Sequence, residues 1–258
     1  MTAPRIPNDE APFSEEALEA FLRSMSTDMV LVGGQALAFW MKRYGIDAQG
    51  AMISNDGDAL GDVRAALKLS RQLRAKLVLP DPAALTSLVA QLRIPVADGK
   101  VRNIDVLHLI YTISGLSKSN EFTRRVQVNA VTVQIEPGFE IRVMHPLDVL
   151  ESRAHNAVGL IQDKGEHVVT QAKWAIEVAR QVILRTAAGA DVDSKRVGGF
   201  VQRLYRLWSS SVGKRLFKER GLCLLDAIDV KRLRKIRPDM EPQWRRVADA
   251  KPGIRRPN

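Results

Sequence analysis

Residues 29–34, Met-Val-Leu-Val-Gly-Gly, constrain the fold more than any other stretch. Four apolar residues in a row predict a short buried strand, and the paired glycines predict a tight turn without side chains. Leu37, Trp40 and Met41 then recur at helical spacing, so a helix starts at the turn. Strand, glycine turn and helix in that order bring bare backbone N–H groups and the positive end of a helix to one point, where a phosphate can sit. The turn lacks the Lys-Ser/Thr ending of a P-loop and the third glycine of a dinucleotide site, so neither of those readings applies.

The chain continues through a connection, Tyr44 to Met52, into Ile-Ser-Asn-Asp-Gly-Asp-Ala-Leu-Gly-Asp. If this segment is a strand, Asp56 and Asp58 project from the same face. Adjacent carboxylates repel one another, and a cation between them removes the cost. Mg²⁺ (or Mn²⁺) suits such a pair, because it takes a few carboxylate oxygens and shares the rest of its shell with substrate phosphates. Asp62, just ahead of the amphipathic run that begins at Val63, reads as a helix N-cap and not as a further ligand.

Gly33-Gly34 followed by Asp56-Gly57-Asp58 resembles the nucleotidyltransferase superfamily, the fold of polymerase-beta-like palms. Within it the nearest flavour is the abortive-infection-type toxin nucleotidyltransferases, and the resemblance spans residues 20–185. It implies an α/β (α+β) fold, a small mixed sheet flanked by helices, with a third carboxylate on a later strand. The matching residue is Asp105, in Val-Arg-Asn-Ile-Asp-Val-Leu-His. The implied activity is metal-dependent transfer of a nucleotide from a nucleoside triphosphate to an acceptor, RNA or protein. Asp56, Asp58 and Asp105 would be the catalytic metal ligands. Gly33, Gly34 and Gln35 would touch phosphate oxygens. Arg153, on the helix opened by His145-Pro146-Leu147-Asp148, and Lys164 would face the triphosphate. The setting implied is a toxin of a toxin–antitoxin or phage-defence system, with an antitoxin as partner.

Other readings of these residues stay open. The run around Asp105 is apolar on both alternating sets, so its carboxylate must be paired or metal-bound; a place at the strand's exposed entry, with an ion pair to Arg102 or another base, would also satisfy it. Arg153 reads equally well as a cation on a helix surface. The whole chain also fits a catalytically inactive nucleotidyltransferase-fold protein that binds nucleic acid or a partner protein.

Charge sorts the chain into two parts. From Lys195 onward there are eighteen Lys/Arg against six Asp/Glu, whereas the rest is slightly acidic. A basic C-terminal quarter suggests a polyanion such as an RNA acceptor, or a solvated helical face. Tyr205, Trp208, Phe217 and Trp244 are interleaved with its cations. The single cysteine, Cys223, excludes an internal disulfide and a cysteine-based zinc site. None of His108, His145, His155 and His167 lies four residues from another, which argues against a histidine metal site, and no Gly-x-Ser-x-Gly marks a serine nucleophile. No apolar run reaches membrane-spanning length, and the first ten residues lack an apolar signal core, so a cytoplasmic protein is expected.

The remaining elements follow from pattern. A Pro-rich arm over residues 1–12 precedes a helix capped by Ser14 that runs to Ser24. An antiparallel hairpin pairs Ser87–Val96 with Lys100–Ile110 through Ala97-Asp98-Gly99, and short strands follow at 125–135 and 140–144. A long helix spans 166–188, with a Gly/Asp loop behind it. Shorter helices cover 195–210, 212–219 and 223–236, and a frayed tail starts at Pro238. The expected division is a nucleotidyltransferase-like domain, 1–160, and a helical, basic C-terminal domain, 161–258.

Overall fold

The computed structural model describes residues 10–48, 56–96, 99–160, 165–189 and 193–252. Lys164, Ala97 and Asp98 of the expected hairpin turn, most of the N-terminal arm and part of the connection before Asp56 lie outside them.

The chain starts with α1 (Glu15–Ser24), capped by Ser14, whose hydroxyl accepts from the Ala17 N–H at 3.2 Å. Next come β1 (Val30–Leu31), α2 (Gly33–Tyr44), β2 (Gly57–Leu60) and α3 (Val63–Gln72). Asp62 caps α3, its Oδ1 accepting from the Ala65 N–H at 2.8 Å. The strands β3 (Lys76–Val78), β4 (Leu88–Pro95) and β5 (Val101–Leu107) follow, then α4 (Leu116–Asn129), β6 (Val131–Glu136), β7 (Phe139–Val143) and α5 (Pro146–Gly159). The rest is helical: α6 (His167–Ala188), α7 (Ser194–Ser209), α8 (Ser211–Arg220), α9 (Val230–Ile236) and α10 (Glu241–Ala250), with short 3₁₀ turns at Leu224–Ala227 and Pro238–Met240.

Among the described residues the strands form one seven-stranded mixed sheet in the order β3-β4-β5-β2-β1-β7-β6. β2 runs antiparallel to β1 and parallel to β5, and β4–β5 is the antiparallel hairpin expected from the sequence. This is the α+β class with a helical C-terminal region. One apolar core runs unbroken from Phe21 to Val247, so packing is continuous across residue 160.

Three stretches differ from expectation. Residues 125–129 end helix α4 and do not begin a strand. The buried face of α4 is Ser119, Phe122, Thr123 and Val126, a helical period hidden because two of its four positions are polar. Both hydroxyls are satisfied: Ser119 donates to Gly115 O and Thr123 to Ser119 O. The short edge strand β3 carries no pattern that marks it. Residues 238–250 are helical and docked, with the Trp244 side chain fully buried and its indole N–H on Arg237 O at 2.8 Å.

Helix α5 opens as the His-Pro-Leu-Asp run predicts, with Pro146 in its first turn. His145 is its cap: Nδ1 accepts from the Leu147 N–H at 3.1 Å. Burial pushes the imidazole down to about 4, so the ring is neutral and free to accept. The unfolded chain protonates His145 near its ordinary 6.5, and the folded chain resists until about 4. The stability this ring contributes is therefore complete above pH 6.5 and is lost progressively as pH falls from there through 4. Denaturant unfolding at pH 7, 5.5 and 4 should show His145→Asn, which keeps a capping acceptor without titrating, losing less stability over that range than the parent.

Candidate active site

The β1–β2 register places Leu31 opposite Ala59, and the Val32 N–H extends the pairing to Asp58 O at 3.0 Å. The next residue, Gly33, therefore sits directly over Asp58. Its φ is +66°, a left-handed conformation that side chains rarely adopt. A Cβ built on Gly33 would stand 1.9 Å from Asp58 Oδ2 and 2.7 Å from its Cγ. Absence of a side chain at residue 33 is what makes room for the Asp58 carboxylate beside the first turn of α2.

Asp58 and Asp105 are register partners on the parallel strands β2 and β5, so both project from the same face of the sheet. Both are half-buried. Asp105 accepts from Gln91 Nε2 at 3.0 Å, Gln91 being its register partner on β4. Arg102 is not the partner considered from sequence; its Nε donates to Pro12 O. Asp56 lies one residue before β2, half-buried.

Among the described residues no three His, Cys, Asp or Glu side chains stand together closely enough to hold one metal ion. The pairing brought out by the fold is thus Asp58 with Asp105, and Asp56 stands at the start of the strand. Two carboxylates still fit Mg²⁺, which commonly takes one or two from the protein and completes its shell with substrate phosphates and water.

Arg153 reaches the same face from α5 and is buried, not a surface cation. Its Nη1 donates to Gln171 Oε1 at 3.0 Å and its Nη2 to Ser152 Oγ at 3.2 Å. Nε has no hydrogen-bond partner among the described residues. Burial pulls the guanidinium below its ordinary value, and the Asp58 charge opposes that shift. Arg153 thus belongs to the electrostatic surroundings of Asp58.

Gly34 is buried in the first turn of α2. Gln35 is buried as well, but lines a groove with Leu31 and residues of α1. Leu31 and Asp58 face opposite sides of the sheet, since Leu31 pairs with Ala59. The fold therefore gathers Gly33, Asp58, Asp105 and Arg153, and separates Gln35 from them. Gln91, Ser152 and Gln171, which hold the charged groups, carried no sequence signal: Gln91 and Gln171 lie 14 and 18 residues from the side chains they bond. No protein-family model matches the chain, and no curated protein matches it.

The proximity of Gly33 to Asp58 is testable by a double-mutant cycle in urea. Gly33→Ala should cost more than about 1 kcal/mol, from a strained φ and the collision with Asp58. Asp58→Gly in the same chain should relieve the collision and leave the strain, with a coupling of about 0.5–3 kcal/mol. A coupling near zero would show that the two residues do not touch.

Proposed function

We propose that the chain is a metal-dependent nucleotidyltransferase that moves a nucleotide from a nucleoside triphosphate to an RNA or protein acceptor. The observation that carries this reading is the Asp58 carboxylate seated against the bare Gly33 turn, with Asp105 beside it. Asp58 and Asp105 would hold Mg²⁺ or Mn²⁺, and Asp56 at the strand's start would add negative charge nearby. Bound there, the ion would neutralise charge on the phosphates during transfer. Gly33 and Gly34 at the start of α2 would orient phosphate oxygens through backbone N–H groups. Arg153 would set the field around Asp58 and meet the triphosphate on the same face, and Lys164 is the second candidate. Positioning and charge compensation supply most of such a reaction. A toxin restrained by an antitoxin in a toxin–antitoxin or phage-defence system, working in the cytoplasm, is the setting this reading suggests.

The basic C-terminal quarter supports RNA as acceptor. Arg215, Arg234, Arg237 and Arg245 are engaged in ion pairs. Lys214, Lys218, Lys231, Arg232, Lys235 and Arg246 are exposed, with no ion pair among the described residues. Tyr205 and Phe217 are exposed enough to stack on unpaired bases, whereas Trp244 is buried in the core. A second reading, a binding module without chemistry, is favoured by the absence of a three-carboxylate group among the described residues and by the Gln91 bond to Asp105.

Incubation with labelled nucleoside triphosphates, Mg²⁺ and a mixture of RNA and protein separates the two. Label should enter one acceptor, and Asp58→Asn should abolish transfer while the fold survives. The substitution relieves repulsion with Asp105 but also removes the charge that faces the buried Arg153, so thermal melting of the variant is measured beside its activity. RNA binding without transfer would favour the module, and transfer surviving in Asp58→Asn would remove the assignment.

RNA affinity should also fall steeply with salt. Lys231→Glu combined with Lys235→Glu should flatten the log–log slope by about 0.7 for each phosphate no longer neutralised. Deleting residues 229–258 is not an equivalent test, since it would strip Leu233, Trp244 and Val247 from the core. An unchanged slope in the double variant would place the acceptor elsewhere.

A further inference from the structure

On the sheet face away from Asp58, α1, α2 and the β6–β7 hairpin enclose a groove of about 590 Å³. That volume suits a small molecule. Its walls are Phe13, Leu18, Leu22, Leu31, Phe39 and Phe139. One polar side chain is buried among them: Gln35, 4 % exposed. Its amide has no hydrogen-bond partner among the described residues. The neighbouring inward positions of α2, Ala36, Leu37, Trp40 and Met41, are apolar, as packing alone would favour. The amide itself is open to the groove, where a molecule seated between the apolar walls can bond it.

We infer that this groove binds an uncharged, flat heteroaromatic molecule of the free-nucleobase class, whose edge pairs with Gln35. A glutamine amide presents a donor and an acceptor side by side in one plane. Its complement is an edge offering an acceptor and a donor at the same spacing, as nucleobases do. Three phenylalanine rings and the leucines supply surfaces for the faces of a flat ring. The rim carries Arg23, Lys42 and Arg43 against Glu15, Glu19 and Glu136, with Arg23 and Lys42 already in ion pairs. That balance disfavours a phosphorylated ligand and favours a neutral one. The site stands apart from the nucleotidyl-transfer reading, because it uses the other face of the sheet.

The probe is 2-aminopurine, titrated into the full chain by calorimetry and by its own fluorescence. Saturable binding with quenching is expected, and Gln35→Leu should weaken it at least tenfold. Without ligand, Gln35→Leu should melt no lower than the parent, since the amide makes no hydrogen bond among the described residues that the substitution would break. Ala38→Trp, which fills the groove from α2, should abolish binding, and it decides the matter if Gln35→Leu fails to fold. Absence of saturable binding would overturn the inference. So would equal affinity in Gln35→Leu, or naphthalene binding as tightly as 2-aminopurine, which would mark a merely apolar cavity.

Discussion

Two buried charges on α5 require neutralising groups from other elements, and that requirement ties the molecule together. Asp148 is fully buried and is met by Arg125 from α4 and Arg203 from α7, both of which also reach Glu151. Arg153 is met by Gln171 from α6, by Ser152, and by the field of Asp58 on β2. An ion pair out of water gains little net stability, but losing one partner leaves the other charge stranded at a cost of about 3–5 kcal/mol. The arrangement is therefore a specification of geometry. It fixes where α4, α6 and α7 stand around α5, and where α5 stands relative to the acid strand.

That geometry explains which parts of the fold were legible in the sequence. Elements announced by local chemistry came through: the Ser14 and Asp62 caps, the Gly33-Gly34 turn, the proline that opens α5 and the β4–β5 hairpin. Each depends on residues within a few positions of one another. Helix α4 was not legible because its buried face uses Ser119 and Thr123, whose hydroxyls donate within the helix and accept from Thr112 and Ile110 N–H groups that the fold brings alongside. The docked helix α10 was hidden for a related reason. It is a short helix that buries only Trp244 and Val247, too few apolar positions to stand out among its charged residues.

The candidate site divides in the same way. Gly33 and Asp58 could be paired in thought because strand, turn and strand leave few alternatives, and the register places them side by side. The neighbour relation of Asp58 to Asp105 is a strand-order fact, fixed by β2 lying between β1 and β5. Gln35 shows the limit of reading by proximity along the chain. Two residues after Gly33, it turns to the opposite side of the sheet, because an α-helix makes a full turn every 3.6 residues.

Gly57 extends the same constraint to the other face of the sheet. A glycine inside a strand weakens it by entropy and by the lack of a side chain to pack. Here the space is already taken: a Cβ at residue 57 would lie 3.1 Å from Ile104 and 3.2 Å from Phe13 and from Phe21. The two rings, packed edge to face at 6.2 Å, bring α1 down onto β2. The glycine between Asp56 and Asp58 therefore answers to the packing of α1 on one face of the sheet. The carboxylate of Asp58 answers to Gly33 on the other. Two glycines, one on each face, let a four-residue strand carry an acidic residue between a helix packed tightly on one side and a bare turn on the other.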